Sequence, residues 1–203
     1  MAAQPPPLGF ASLSSIAYQL SLMYSRQARV ATVPVVAHPF AAIVMAVVFI
    51  ESYFNETVEV AARAGQISVA RAAELRRDNL EEKLEKFLLD ISKGQTQWDR
   101  GARPYQSFRE LLTLRNELVH YKPEFIPYGS FTNPQVEQIA KRFPHEWLGR
   151  CDWTVAVLTP QVADWACQTA REIVEEFHRL RGTMSPWARN FPGWRVEDWP
   201  NLP

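Results

Sequence analysis

Residues 39–55 read PFAAIVMAVVFIESYFN, and this stretch decides the fold class. Proline suits the first turn of a helix, and apolar residues fill almost every following position. The pattern predicts a helix that is buried on nearly all sides. Its apolar run, Phe40 to Ile50, is shorter than the roughly 20 residues that a membrane span needs. We therefore expect the central helix of a cytoplasmic protein that does not enter a membrane.

Helical spacing continues on both sides of this central segment. Apolar residues at steps of three and four predict a first helix near residues 10–30. The further predicted helices are one charged helix from Ser68 to Lys93 with Gly94 as its C-cap, one from Pro104 to about Tyr121, a short one from Pro134 to Phe143, and a last one from Pro160 to about Leu180. The stretch from Trp147 to Leu158 fits either a turn of helix or an extended piece. The predicted class is an all-α helical bundle with four to five core helices.

The pattern divides the chain into three parts. Residues 1–37 form an N-terminal extension with one helix, residues 38–182 form the helical domain, and residues 183–203 form an irregular tail rich in Trp and Pro. We expect the tail to wrap onto the helical body as a strap, since exposed Trp side chains are unfavourable. A strap that binds a partner protein is the second interpretation.

Charge and cysteine content limit the possible functions. The chain has 22 Lys and Arg against 22 Asp and Glu, so it has no overall positive field for nucleic acid. Any RNA binding must therefore rely on a local cluster. The two cysteines, Cys151 and Cys167, have no zinc-ligand spacing, and we expect them to be reduced thiols of a cytoplasmic protein. The N-terminus lacks the features of a signal peptide.

The helix from Pro104 carries the residues of chemical interest. On a helical wheel, Arg115 falls in the apolar arc around Phe108, where a guanidinium is costly unless it is paired or lines a polar groove. Taken alone, Arg115 is explained by a packed stem with its head in water, and His120 by a favourable interaction with the helix C-terminus. Asn116 and His120 are four residues apart, so their side chains can meet.

The string LRNELVHYKP, residues 114–123, resembles the motif of HEPN-domain proteins, in which Arg, a polar residue and a short spacer precede His. Arg115 and His120 match the two defining positions, and Asn116 matches the polar residue. The segment ESYFN, residues 51–55, is similar to the first core helix of several HEPN families. The resemblance covers residues 38–182. In HEPN toxins paired with nucleotidyltransferase antitoxins a Tyr usually stands two places after the His, whereas here Tyr121 follows His120 directly.

The resemblance implies an HEPN-like fold and a metal-independent RNA endonuclease of a defence or toxin–antitoxin system. It also implies a homodimer whose two motifs face each other across one cleft. His120 would act as general acid or base on the ribose 2′-OH and the 5′-oxygen. Arg115 would hold the scissile phosphate, and Asn116 would orient His120 or the phosphate. The products would be a 2′,3′-cyclic phosphate and a 5′-OH, with no metal or other cofactor.

Residues around the motif are expected to support this chemistry. Arg103, Arg109 and Lys122 would bind the RNA backbone, together with Arg100. Glu51 would act behind the site by pairing with Arg115. An antitoxin or regulatory protein is a possible partner.

Two other functions fit parts of the sequence. One is a non-catalytic HEPN-like dimer that serves as an interaction module or binds RNA or a nucleotide. The other is a di-iron bundle, because Glu117 and His120 repeat the spacing of Glu175 and His178. We reject the di-iron site because Glu175 and His178 are predicted to point outward and His120 lies at a helix end.

Overall fold

The computed structural model describes residues 13–31, 36–120, 130–131, 133–143 and 152–187. Within these ranges the protein is all-α, and no strand occurs. The helices are α1 (Leu13–Val30), α2 (Ala37–Arg63), α3 (Val69–Leu75), α4 (Leu80–Ile91), α5 (Arg103–Val119), α6 (Pro134–Arg142), α7 (Trp153–Val157) and α8 (Pro160–Leu180). The expected helical bundle is confirmed.

Helix α2 is the centre of the bundle, as its sequence predicts. Ile43, Phe49, Ile50 and Phe54 on this helix are fully buried. Helices α1, α8 and α5 pack around it, while α3 and α4 contact its C-terminal half. The buried side chains of α1 belong to the same hydrophobic cluster as those of the other helices. The N-terminal helix is therefore part of the common core.

The length and composition of α2 also suit a membrane crossing. It has 27 residues, and 56% of its most apolar window is buried inside the protein. A core helix passes the same test, so α2 is only weak evidence for a membrane span.

The charged segment after α2 differs from its prediction. The prediction of one helix from Ser68 to Lys93 is wrong, because the chain turns at residues 76–79 and forms two helices. Asn79 begins α4 with extended backbone, and its side-chain oxygen accepts a hydrogen bond from the backbone N–H of Glu82 (2.9 Å). This cap satisfies an N–H group that a helix start leaves unpaired, which stabilises the break. The end of α4 agrees with its prediction, since Gly94 has a positive φ of 77°.

Helix α5 lies between the core and the neighbouring α6. Pro104 stands in its first turn, and His120 follows its last residue as the C-cap. Arg142 on α6 makes two 2.8 Å contacts with the carboxylate of Glu110 on α5, which fixes the two helices together. Within the ambiguous stretch 147–158, residues 153–157 are helical, and residues 147–151 lie outside the described part.

The tail is described only as far as Trp187. Its ring packs edge-on against Tyr18 of α1, with centroids 5.4 Å apart, and against Phe49 of α2 at 6.2 Å. The expected strap is therefore present for this one Trp, while residues 188–203, with Trp194 and Trp199, lie outside the described residues. Residues 32–39 contain two prolines and three valines, which favour an extended link. This expectation is wrong for residues 37–39, which belong to α2, and residues 32–35 lie outside the described residues.

Candidate functional site

An open groove of about 470 Å³ lies beside α5. Glu51 contributes from α2, and Gln135 contributes from α6. The other lining residues come from the α3–α4 turn and start of α4, namely Asp78, Asn79, Leu80 and Glu81, and from α5, namely Arg109, Leu112, Thr113, Arg115 and Asn116. The groove therefore contains four of the eight residues that the sequence selected as a site: Glu51, Arg109, Arg115 and Asn116.

Arg115 is half-buried on α5 and lines this groove. Among the described residues its side chain forms no hydrogen bond and no ion pair. The expected pairing with Glu51 is absent, although Glu51 lines the same groove and is exposed. A partly desolvated guanidinium without a carboxylate is available to bind an anion.

The other charged groups of the groove are largely neutralised. Arg109 Nε lies 2.9 Å from Glu81 Oε1, so this Arg already has a carboxylate partner. Asp78 Oδ1 lies 3.1 Å from the amine of Lys86. The groove is therefore not a positively charged channel, and Arg115 is its unpaired cation.

His120 stands apart from this groove. It is exposed at the C-cap of α5 and does not line the groove, while its backbone N–H donates to the carbonyl of Asn116 (2.9 Å). Asn116 is exposed and lines the groove. Five residues along a helix correspond to a rise of about 7.5 Å and a turn of about 140°, so Arg115 and His120 of one chain diverge. A single copy does not place both side chains in the described groove.

The remaining positions selected for RNA contact are less informative. Arg103 is exposed at the start of α5, and Arg100 lies 2.6 Å from Glu85 Oε2 in an ion pair. Lys122 lies outside the described residues. Val119, the last residue of α5, is 47% exposed.

A buried lysine lies behind the groove. Lys83 on α4 is 2% exposed, and its amine donates a 2.7 Å hydrogen bond to Asn55 Oδ1 on α2. Burial lowers the pKa of this amine, and the nearby charges of Glu51 and Asp78 oppose the effect. The sequence analysis described this segment only as one charged helix and did not single out Lys83.

The reason for rejecting a di-iron site is partly wrong. His178 is buried, at 8% exposure, and its ring contacts the hydroxyl of Tyr53 and Thr183 Oγ1. Glu175 is half-exposed and forms an ion pair with Arg171 (2.9 Å). His178 is buried because α8 has a wide packed face beside α2. In the described parts of the chain, no three His, Cys, Asp or Glu residues are grouped as metal ligands.

The groove also contains residues that sequence reasoning missed, chiefly Asp78, Asn79, Leu112 and Gln135. Asn79 had a detectable signal, because Asn followed three residues later by Glu is a helix N-terminal pattern. Gln135 had none, since it reaches the groove only through the packing of α6 on α5. Thr113 Oγ1 donates to Gln135 Oε1 (3.0 Å) across that contact.

Comparisons of the chain with protein-family models, with curated proteins and with solved structures gave no match.

Proposed function

We propose that this protein is a metal-independent RNA endonuclease whose catalytic site is completed by two copies of the chain. The observation that carries the proposal is Arg115, a half-buried guanidinium at an open groove with no carboxylate partner among the described residues. Such a group binds a phosphate and stabilises the charge that develops during its cleavage. His120, exposed five residues later, supplies a side chain that transfers protons near neutral pH.

The divergence of the two side chains is the argument for a second copy. If two α5 helices pack antiparallel about a two-fold axis, His120 of one chain lies near Arg115 of the other. Each phosphate then meets one guanidinium and one imidazole. His120 takes the proton of the ribose 2′-OH, and the 2′-oxygen attacks phosphorus as the bond from phosphorus to the 5′-oxygen breaks. The 5′-oxygen takes a proton from water, and the His120 imidazolium returns its proton to the solvent. The products are a 2′,3′-cyclic phosphate and a 5′-OH, and the role that we propose for this activity is in a defence or toxin–antitoxin system.

The charge balance of the groove favours a second candidate. Arg109 is paired with Glu81, which leaves few free cations to follow an RNA backbone. A non-catalytic dimer that binds a nucleotide or a partner protein agrees with this observation and with the position of His120 outside the groove.

Cleavage of labelled RNA in the presence of EDTA separates the two candidates. We expect the wild type to produce 2′,3′-cyclic phosphate ends, and Arg115→Ala and His120→Ala each to lower the rate at least about 100-fold. Arg26→Ala, which removes an exposed arginine on α1, is the matched control and should retain full activity. Wild-type protein that is dimeric, folded and unable to cleave RNA would leave only the non-catalytic candidate.

Mixing the two inactive variants tests the two-copy arrangement. A mixed dimer of Arg115→Ala and His120→Ala chains contains one intact pair, so exchanged subunits should recover part of the wild-type rate. No recovery after verified exchange would show that each site uses Arg115 and His120 of the same chain.

A further inference from the structure

The groove offers two unpaired groups of opposite charge to a ligand. Glu51 presents an exposed carboxylate from α2, and Arg115 presents a guanidinium from α5. No ion pair joins them, and the other charged lining residues are paired with Arg109, Glu81 or Lys86. Leu80 and Leu112 provide the apolar part of the lining.

Glu51 keeps its oxygens available despite the lysine behind it. The positive charge of Lys83 is close enough to Glu51 to interact electrostatically, but its hydrogen bond goes to Asn55. An ionised carboxylate accepts hydrogen bonds and donates none, so a ligand at Glu51 must bring N–H or O–H donors. Its two oxygens best match two donors that lie side by side.

Among nucleobases, guanine meets this requirement on one edge. Its ring N1–H and exocyclic N2 amine are adjacent and point the same way, whereas adenine and cytosine place an acceptor nitrogen beside their amine. Uracil has a single N–H between two carbonyl groups. The flat ring suits the apolar side chains of Leu80 and Leu112, and a phosphate suits the guanidinium of Arg115.

We propose that this groove binds a guanine nucleotide, with Glu51 recognising the base and Arg115 holding the phosphate. A groove of about 470 Å³ falls within the range of roughly 300–1,000 Å³ that small-molecule sites occupy. The nucleotide is either free or one residue of an RNA. If the nucleotide is part of an RNA, the inference rests on the proposed endonuclease and assigns its base preference. If the nucleotide is free, the inference does not require that the protein cleaves RNA.

Calorimetric titration of the full-length chain with GMP, IMP and guanosine tests the site directly. IMP lacks the N2 amine, and guanosine lacks the phosphate. We expect the wild type to bind GMP about tenfold or more tighter than IMP, because a hydrogen bond to a charged group is lost. Glu51→Gln should reduce the GMP-to-IMP ratio to about one, since an amide N–H₂ then faces a guanine donor. Arg115→Ala should lower GMP affinity to that of guanosine.

Glu172→Gln is the matched control, because it makes the same exchange on α8 outside the groove and should leave both affinities unchanged. Thermal unfolding of each variant checks that the fold is intact. The proposal is overturned if folded wild type neither binds GMP at millimolar concentration nor depends on guanosine in an RNA substrate. It is also overturned if the protein binds GMP and Glu51→Gln leaves the GMP-to-IMP ratio unchanged.

Cleavage of RNA in which guanosine is replaced by inosine distinguishes the two sources. If the wild type cleaves inosine RNA more slowly than guanosine RNA, and Glu51→Gln removes this difference, guanine is recognised within RNA. Glu51-dependent GMP binding without any RNA cleavage supports a free-nucleotide site and removes the endonuclease. If the protein cleaves inosine RNA and guanosine RNA equally well and does not bind GMP, the guanine site is overturned and the proposed endonuclease is retained.

Discussion

Lys83 is a charged side chain in a buried environment, which is unfavourable for its ammonium group. Its cationic amine is buried between α4 and α2 and donates a hydrogen bond to Asn55. Burial disfavours the charged form and lowers the pKa below the ordinary value of 10.5. Desolvation of this charged amine therefore opposes the stability that its hydrogen bond contributes.

Replacing Lys83 with Met should remove a pH dependence of stability. The folded pKa lies below 10.5, so on approaching pH 10.5 the unfolded chain holds a proton that the folded chain has released. The free energy of unfolding of the wild type should accordingly rise with pH toward 10.5. Lys83→Met should lose this rise and be equally or more stable at pH 7, because Met fills the space without a charge.

Urea unfolding between pH 7 and 10 measures both effects. Lys141→Met, at an exposed position on α6, is the control and should retain the wild-type slope. An unchanged slope in Lys83→Met would contradict a lowered pKa for the buried amine.

At the scale of single residues, the sequence predicted the groove residues of α5 better than the residues of the neighbouring helices. The helical wheel of α5 placed Arg115 in the apolar arc beside Phe108 and placed Arg109 and Asn116 on the neighbouring polar face, and all three line the groove. It did not separate His120 from them, because a wheel has no information on where the groove ends. Lys83 was missed because its burial depends on how α4 packs against α2.

At the level of elements, the break between α3 and α4 shapes the groove. Asp78, Asn79 and Leu80 line the groove at the turn, and Asn79 also caps α4. Arg71 of α3 donates a 2.7 Å hydrogen bond to Asp90 of α4, which fixes the angle between the two helices. Periodicity alone predicted one continuous helix here, since both segments have favourable helix formers and the turn contains no Gly or Pro.

Replacing Asn79 with Ala should lower the free energy of unfolding by about 1 kcal/mol, because the N–H of Glu82 loses its side-chain acceptor. Asn79→Asp should retain most of the stability, since a carboxylate accepts the same bond and favours the helix N-terminus. Urea unfolding of both variants at pH 7 measures the difference. Equal stability of Asn79→Ala and the wild type would show that the break does not depend on this cap.

In the whole molecule, the chain beyond α8 closes over the first two helices. Trp187 contacts Tyr18 and Phe49, and the guanidinium of Arg171 lies 5.4 Å from its ring centre. Burial raises the pKa of Tyr18 to about 12. The neutral hydroxyl therefore adds stability below pH 10, which is lost as the pH rises toward 12. Composition predicted a packed tail, but only the fold shows that its first Trp covers α1 and α2.

Replacing Trp187 with Ala should lower the free energy of unfolding by roughly 2–4 kcal/mol, slightly below the range for fully buried aromatic residues because the ring is half-exposed. Trp187→Phe should recover much of this loss, since a smaller ring keeps contacts with Tyr18 and Phe49. Met184→Ala, a 57% exposed position in the same segment, is the control and should change stability by less than about 0.5 kcal/mol. Urea unfolding at pH 7 compares the three variants. If Trp187→Ala were as stable as Met184→Ala, the contacts of the strap would not stabilise the bundle. The second interpretation, in which the tail binds a partner protein, would then be favoured.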